Sequence, residues 1–90
     1  MKKFVVERIL PGAGNLSNEE LLLFMKSAYE AISKLDKPYH WIQTIITEDK
    51  IYCIHMAEGE ETIREHSRLS GFPVNTISEI ISILTFNDFR

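Results

Sequence analysis

The chain has 90 residues, 44% of them apolar and 26% charged, which suits one hydrophobic core and is too apolar for a disordered segment. Ten Lys and Arg against thirteen Asp and Glu leave a formal charge of −3, which argues against nucleic acid as a partner because such surfaces carry a basic stripe. No apolar run reaches the length of about 18 residues that a membrane span needs, Glu7 cuts short any signal-type stretch, and the lone Cys53 makes no internal disulfide, so a cytoplasmic location and a single domain over residues 1–90, with its core at about 3–84, are expected.

Lys3 to Ile9 is rich in β-branched and aromatic residues and reads as a strand. Pro11-Gly12-Ala13-Gly14-Asn15 breaks it with a loop. Ser17 and Glu20 have the spacing of a capping box, in which each side chain satisfies a backbone N–H of the first turn. The helix that follows runs to about Leu35, with Leu21, Met25, Ala28, Ile32 and Leu35 on one face. His40 to Thr47 and Ile51 to Ala57 are two strands joined by Glu48-Asp49-Lys50 into a hairpin. A second helix covers Gly59 to Ser70, and Gly71 is placed as its left-handed C-cap, followed by Phe72 and Pro73. A last strand extends from Asn75 or Thr76 to Leu84, with a polar tail to Arg90.

Strand, helix, strand, strand, helix, strand is the order of the ferredoxin-like βαββαβ unit, an α+β fold with a four-stranded antiparallel sheet and both helices on one face. With Glu48 opposite Ile51, residues Ile42, Thr44, Ile46, Cys53, His55 and Ala57 share one hairpin face, and Trp41, Gln43, Ile45, Tyr52, Ile54 and Met56 the other. Two helices cover only one face. The other would expose an apolar patch of a size that soluble monomers seldom carry, so the expectation is a homodimer, two sheets face to face in a dimeric α/β barrel with a cavity between them.

Four sets of residues carry chemistry. The inward stripe of the second helix is Ile63, His66, Ser67 and Ser70. His66 reads either as a histidine bonded to a backbone carbonyl to seat the helix, or as a metal ligand or proton-transfer group at a pocket. Glu7 lies in an apolar strand on the face of Val5 and Ile9. It is either an ion-paired or edge-exposed carboxylate, or a cavity group acting as ligand or base. Trp41, Gln43 and Tyr52 present apolar surfaces with polar tips on one predicted face, as a small-molecule pocket would or as aromatic dimer packing would. Cys53 and His55, two apart on a strand, are a buried thiol beside a half-buried histidine, or a pair for a soft ion. No linear metal motif and no phosphate loop is present.

Three segments together resemble a family of small bacterial ferredoxin-like proteins, grouped as a domain of unknown function and often labelled nickel-binding or nickel-responsive. They are Phe4–Arg8 leading into Leu10–Gly14, Asp49–Cys53, and Ile63–Ser67 leading to Gly71–Pro73. The resemblance spans residues 3 to about 84. It implies a ferredoxin-like subunit, a face-to-face homodimer and nickel as the bound ion, with Glu7 and His66 as the candidate ligands. Members can carry histidine where this chain has Gln43 and tyrosine where it has Ile45. Glutamine is the poorer nickel ligand.

The leading expectation is therefore a homodimer that binds a divalent transition metal, nickel, or a small ligand for storage or sensing. The alternative is a dimeric-barrel isomerase or cofactorless oxygenase acting on a small aromatic or lactone-like compound. There His66 would move a proton, Glu7 would orient and Trp41 with Tyr52 would stack, a reading that rests on analogy of fold. A scaffold with a filled cavity is the third reading.

Overall fold

The computed structural model describes residues 1–89; Arg90, the end of the expected tail, lies outside them. The elements are β1 (Lys2–Ile9), α1 (Asn18–Ser33), β2 (Tyr39–Ile46), β3 (Lys50–Ala57), α2 (Glu60–Ser70) and β4 (Thr76–Glu79), with short 3-10 turns at Ala13–Asn15 and Phe86–Phe89. The sheet is antiparallel in the order β2-β3-β1-β4, the ferredoxin-like fold that the element order implies. Among the described residues no helix is long and apolar enough to cross a membrane.

Alternation along β1 turns Phe4, Val6 and Arg8 toward the helices and Val5 and Glu7 away. Phe4, Val6, Tyr39, Ile51, Cys53, Ala57 and Ile63 form the core, with Leu10, Phe24, Ile32, Leu35, Val74 and Ile77 packed around it. The loop after β1 closes onto the hairpin turn: Leu10 N–H donates to the Asp49 carbonyl at 2.9 Å and Gly14 N–H to the Glu48 carbonyl at 3.0 Å. A Cβ at position 14 would sit 3.0 Å from the Glu48 Cα, so this close approach of two backbones needs glycine.

The capping box is formed, with Glu20 N–H donating to Ser17 Oγ at 3.1 Å and Ser17 N–H to Glu20 Oε1 at 3.2 Å. The packed face of α1 is rotated from the predicted one. Ala28, Ile32 and Leu35 pack inward as predicted, but Met25 is 44% exposed, and Phe24 and Ala31 take inward positions that the prediction lacked. Two interactions set this rotation: Phe24 stacks on Phe72 at 3.9 Å between centroids, and the Ala28 carbonyl meets a side chain of α2. Gly71, at φ +80°, ends α2 as predicted and donates to the Ser67 carbonyl at 3.0 Å.

Two strands depart from expectation. β4 stops at Glu79 rather than Leu84, and in this register β1, which begins at Lys2, offers no partner to the last three expected residues. Glu79 opposes Phe4, and Ile80 N–H still reaches the Lys3 carbonyl at 2.8 Å, but β1 begins two residues earlier in the chain. In the hairpin, Ile46 opposes Ile51, two residues from the predicted register, so parity holds and Thr44, Ile46 and Cys53 do share a face. The pairing then shifts by one between Trp41 and Gln43, leaving Ile42 as the extra residue of a bulge. The shift turns Trp41 to the helix side, opposite His55. That corrects the predicted grouping of Trp41 with Gln43 and Tyr52.

Candidate functional site

The inner face of the sheet is expected to be greasy, and in part it is. Its centre, however, holds polar side chains brought there by three strands and one helix. Arg8 is the third inward position of β1, His55 lies inward on β3, Tyr39 enters from the start of β2, and His66 descends from α2. Arg8 and His55 are each 2% exposed and His66 is 1% exposed. The Tyr39 and His66 rings stack at 4.7 Å, Tyr39 and His55 lie 5.1 Å apart, and the two imidazoles 5.4 Å apart.

The hydrogen bonds in this cluster are incomplete. His66 Nε2–H donates to the Ala28 carbonyl at 2.9 Å, which fixes the tautomer and leaves Nδ1 as a bare acceptor. Arg8 Nη1 donates to Ser67 Oγ at 3.0 Å and to the Pro73 carbonyl at 2.9 Å, and the guanidinium lies 6.0 Å from the Phe72 ring centre. Arg8 Nε, the Tyr39 hydroxyl, both His55 nitrogens and His66 Nδ1 are buried without a partner. Buried polar atoms are nearly always paired, so five unpaired ones in one cluster are a departure from ordinary core packing. A void of about 10 Å³ lies among Arg8, Cys53, His55 and His66, room for about one water molecule.

Charge here is restricted to Arg8. Burial, then the neighbouring His66 and Arg8, push His55 down to about 3. Burial also lowers His66, against the raising effect of the Ala28 carbonyl and with a smaller push from Arg8. Burial raises the Tyr39 phenol above its ordinary value. At neutral pH the cluster therefore holds two neutral imidazoles, a neutral phenol and one cation. Among the described residues no carboxylate pairs with Arg8.

The residues singled out in the sequence are distributed differently. Glu7 points to the outer face, where Lys50 Nζ lies 3.6 Å from its carboxylate and Tyr52 is its strand partner. His66 lies over the inner face, so the sheet separates the two candidate ligands. Gln43 and Tyr52 are outward and Trp41 inward, so the trio does not converge within one subunit. Trp41 Nε1–H donates to Thr44 Oγ1 at 2.8 Å, and Thr44 in turn contacts Cys53 Sγ at 3.5 Å. Of the two readings of His66, the bond to a backbone carbonyl is present, and its other nitrogen still faces the void. His55 is buried beside Cys53 on the inner face, as the pairing of the two in the sequence suggests, while Arg8 and Tyr39 are the cluster residues that sequence reasoning passed over. The period of two from Phe4 through Val6 to Arg8 was the available signal for the first.

Comparison with known proteins follows the same line. No curated protein matches the chain. The crystal structure of SCO4226 from Streptomyces coelicolor A3(2) is similar, with a TM-score of 0.77 at 15% identity, over 91% of this chain and 99% of that one; a likeness at that identity carries the fold. A family profile described as nickel responsive protein SCO4226-like matches residues 4–80, most of the chain, and the protein belongs to that family.

Proposed function

We propose that the protein is a ligand-binding homodimer, used to sense or store a small ligand, and that the buried cluster around His55 and His66 is its binding site. The supporting observation is the set of four unpaired polar atoms on Arg8, His55 and His66, three side chains that line one void, with the unpaired Tyr39 hydroxyl on a ring stacked against His66. Binding is favoured over proton-transfer catalysis by the same groups. A general base works best with a pKa near the working pH, and His55 stays neutral down to about pH 3. His66 has one nitrogen committed to Ala28.

The family description names nickel, and the single subunit does not fit it. Glu7 and His66 lie on opposite faces of the sheet. Among the described residues no three His, Cys, Asp or Glu side chains converge. The imidazole pair sits beside the Arg8 cation, which repels a dication. A nickel site would require donors from two chains, and elemental analysis of protein purified without chelator or affinity tag tests for one.

The second subunit is expected on the outer face. There Val5, Ile45, Tyr52, Ile54 and Met56 form an apolar surface that neither helix covers, with Ile45 47% exposed. Thermal unfolding against a panel of small organic acids, amides and divalent chlorides tests the binding reading, because a ligand of the folded state raises Tm with concentration. A saturable rise for one class is expected. No rise with any member, together with a crystal structure showing one ordered water bonded to Arg8, His55 and His66, would overturn it.

A further inference from the structure

We infer that the ligand is a small carboxylic acid with a compact apolar body, bound with its carboxylate at Arg8 and its body in the groove between α1 and β2. The inference rests on the binding reading above and names the ligand class.

Two adjoining spaces carry it. Next to the polar void, an apolar groove of about 270 Å³ is lined by Leu21, Phe24, Met25, Trp41, Thr44 and Ile46. Phe24, Trp41 and Thr44 line both spaces, so they are the wall between them. A cavity of roughly 150 Å³ accepts a benzene ring; the groove is therefore large enough for a single ring and a short linker. Trp41 closes the inner end and is held by one side-chain hydrogen bond, to Thr44. The inferred pose requires the half-buried indole to turn, so that groove and void become one space.

The polar end selects the head group. Arg8 is buried, cationic, has an unused Nε–H, and has no carboxylate partner among the described residues. A buried guanidinium is ordinarily matched by an anion. One His55 nitrogen, on the wall of the same void, is a further donor without an acceptor. A carboxylate accepts several hydrogen bonds at once and supplies the missing charge. A cation would meet Arg8 unscreened, and a neutral amide would leave its charge unmatched. The groove, lined mainly by apolar side chains, suits the apolar remainder of the ligand.

Trp41 is the one tryptophan of the chain, so its fluorescence reads the groove directly. The test is a titration of the full chain with phenylacetate, phenylacetamide and phenethylamine. Phenylacetate is expected to saturate at a concentration at least about tenfold below phenylacetamide, as a buried charge-assisted hydrogen bond implies, and phenethylamine not to saturate. Arg8→Gln should abolish the preference for the acid. Should that variant fail to fold, Met25→Glu at the exposed groove rim should weaken the acid more than the amide. Equal affinity for acid and amide would overturn the carboxylate inference and leave the binding reading intact. Absence of saturation by phenylacetate at millimolar concentration would also overturn it, and the thermal panel then decides the binding reading separately.

Discussion

The two faces of the sheet invert the usual arrangement. The inner face, covered by α1 and α2, encloses a guanidinium, two imidazoles and a phenol with unpaired atoms. The outer face, turned away from both helices, carries Val5, Ile45, Tyr52, Ile54 and Met56. A domain selected for stability alone would place these the other way round, since unpaired buried polar atoms each cost about 1–3 kcal/mol and apolar surface stabilises only when buried. On the proposed function, the inner face gives up packing energy for a ligand, and the outer face gives up solubility for a second chain.

The inner face should fail first, in acid. His55 has a folded-state pKa of about 3 against an ordinary value of 6.5. The unfolded chain therefore takes up the proton first as pH falls. Stability is full above about pH 6.5 and declines toward about pH 3, by up to about 1.4 kcal/mol per unit. The loss of several kcal/mol is comparable with the whole stability of a small domain, about 5–15 kcal/mol. Urea midpoints measured from pH 7.5 to 4.5 check it. His55→Phe, which removes two unpaired nitrogens while keeping a ring, should flatten the profile and hold or raise stability at neutral pH. An unchanged slope in that variant would show that the burden lies elsewhere on this face.

The outer face should fail through association. Ile54 is half-buried in the single chain and lies between Val5 and Gln43 in the sheet. Ile54→Asp would place a carboxylate at the centre of the apolar surface, where an uncompensated buried charge costs about 3–5 kcal/mol. Sedimentation equilibrium should show the wild-type chain as a dimer at micromolar concentration and the variant as a monomer. The variant's Tm should no longer depend on protein concentration. A monomeric wild-type chain would remove the role assigned to this face.

Much of this contrast was legible in the residues, for identifiable reasons. Local signals are strong where one residue type is demanded: the Ser17–Glu20 capping box, Gly71 at positive φ and the β-branched runs of β1 and β3 all report their structure directly. The apolar outer face followed from parity alone. The site was not legible, because it depends on two features without a local signature. One is the bulge at Ile42, which reverses Trp41 and brings Tyr39 under α2. The other is Arg8, which looks like a surface residue of an alternating strand and becomes buried only because Ser67 and the Pro73 carbonyl, some sixty residues later, accept its hydrogens. The limit on β4 is equally non-local, since β1 begins at Lys2 and offers no partner to the last three residues of the expected strand.

The smallest effect tests the bulge itself, since Gln43 and Thr44 are neighbours that the pleat sends to opposite faces. Thr44→Val keeps the shape of the side chain and removes the acceptor for Trp41 Nε1–H. The expected loss is about 1 kcal/mol, the usual net worth of one hydrogen bond, because the half-buried indole can turn to water. The turned indole should emit at longer wavelength and be quenched more readily by acrylamide. Gln43→Ala, on the exposed outward side of the same strand, should leave both the urea midpoint and the emission unchanged. If the two substitutions shift Trp41 emission equally, the indole does not sit on the helix side, and the groove loses its inner wall.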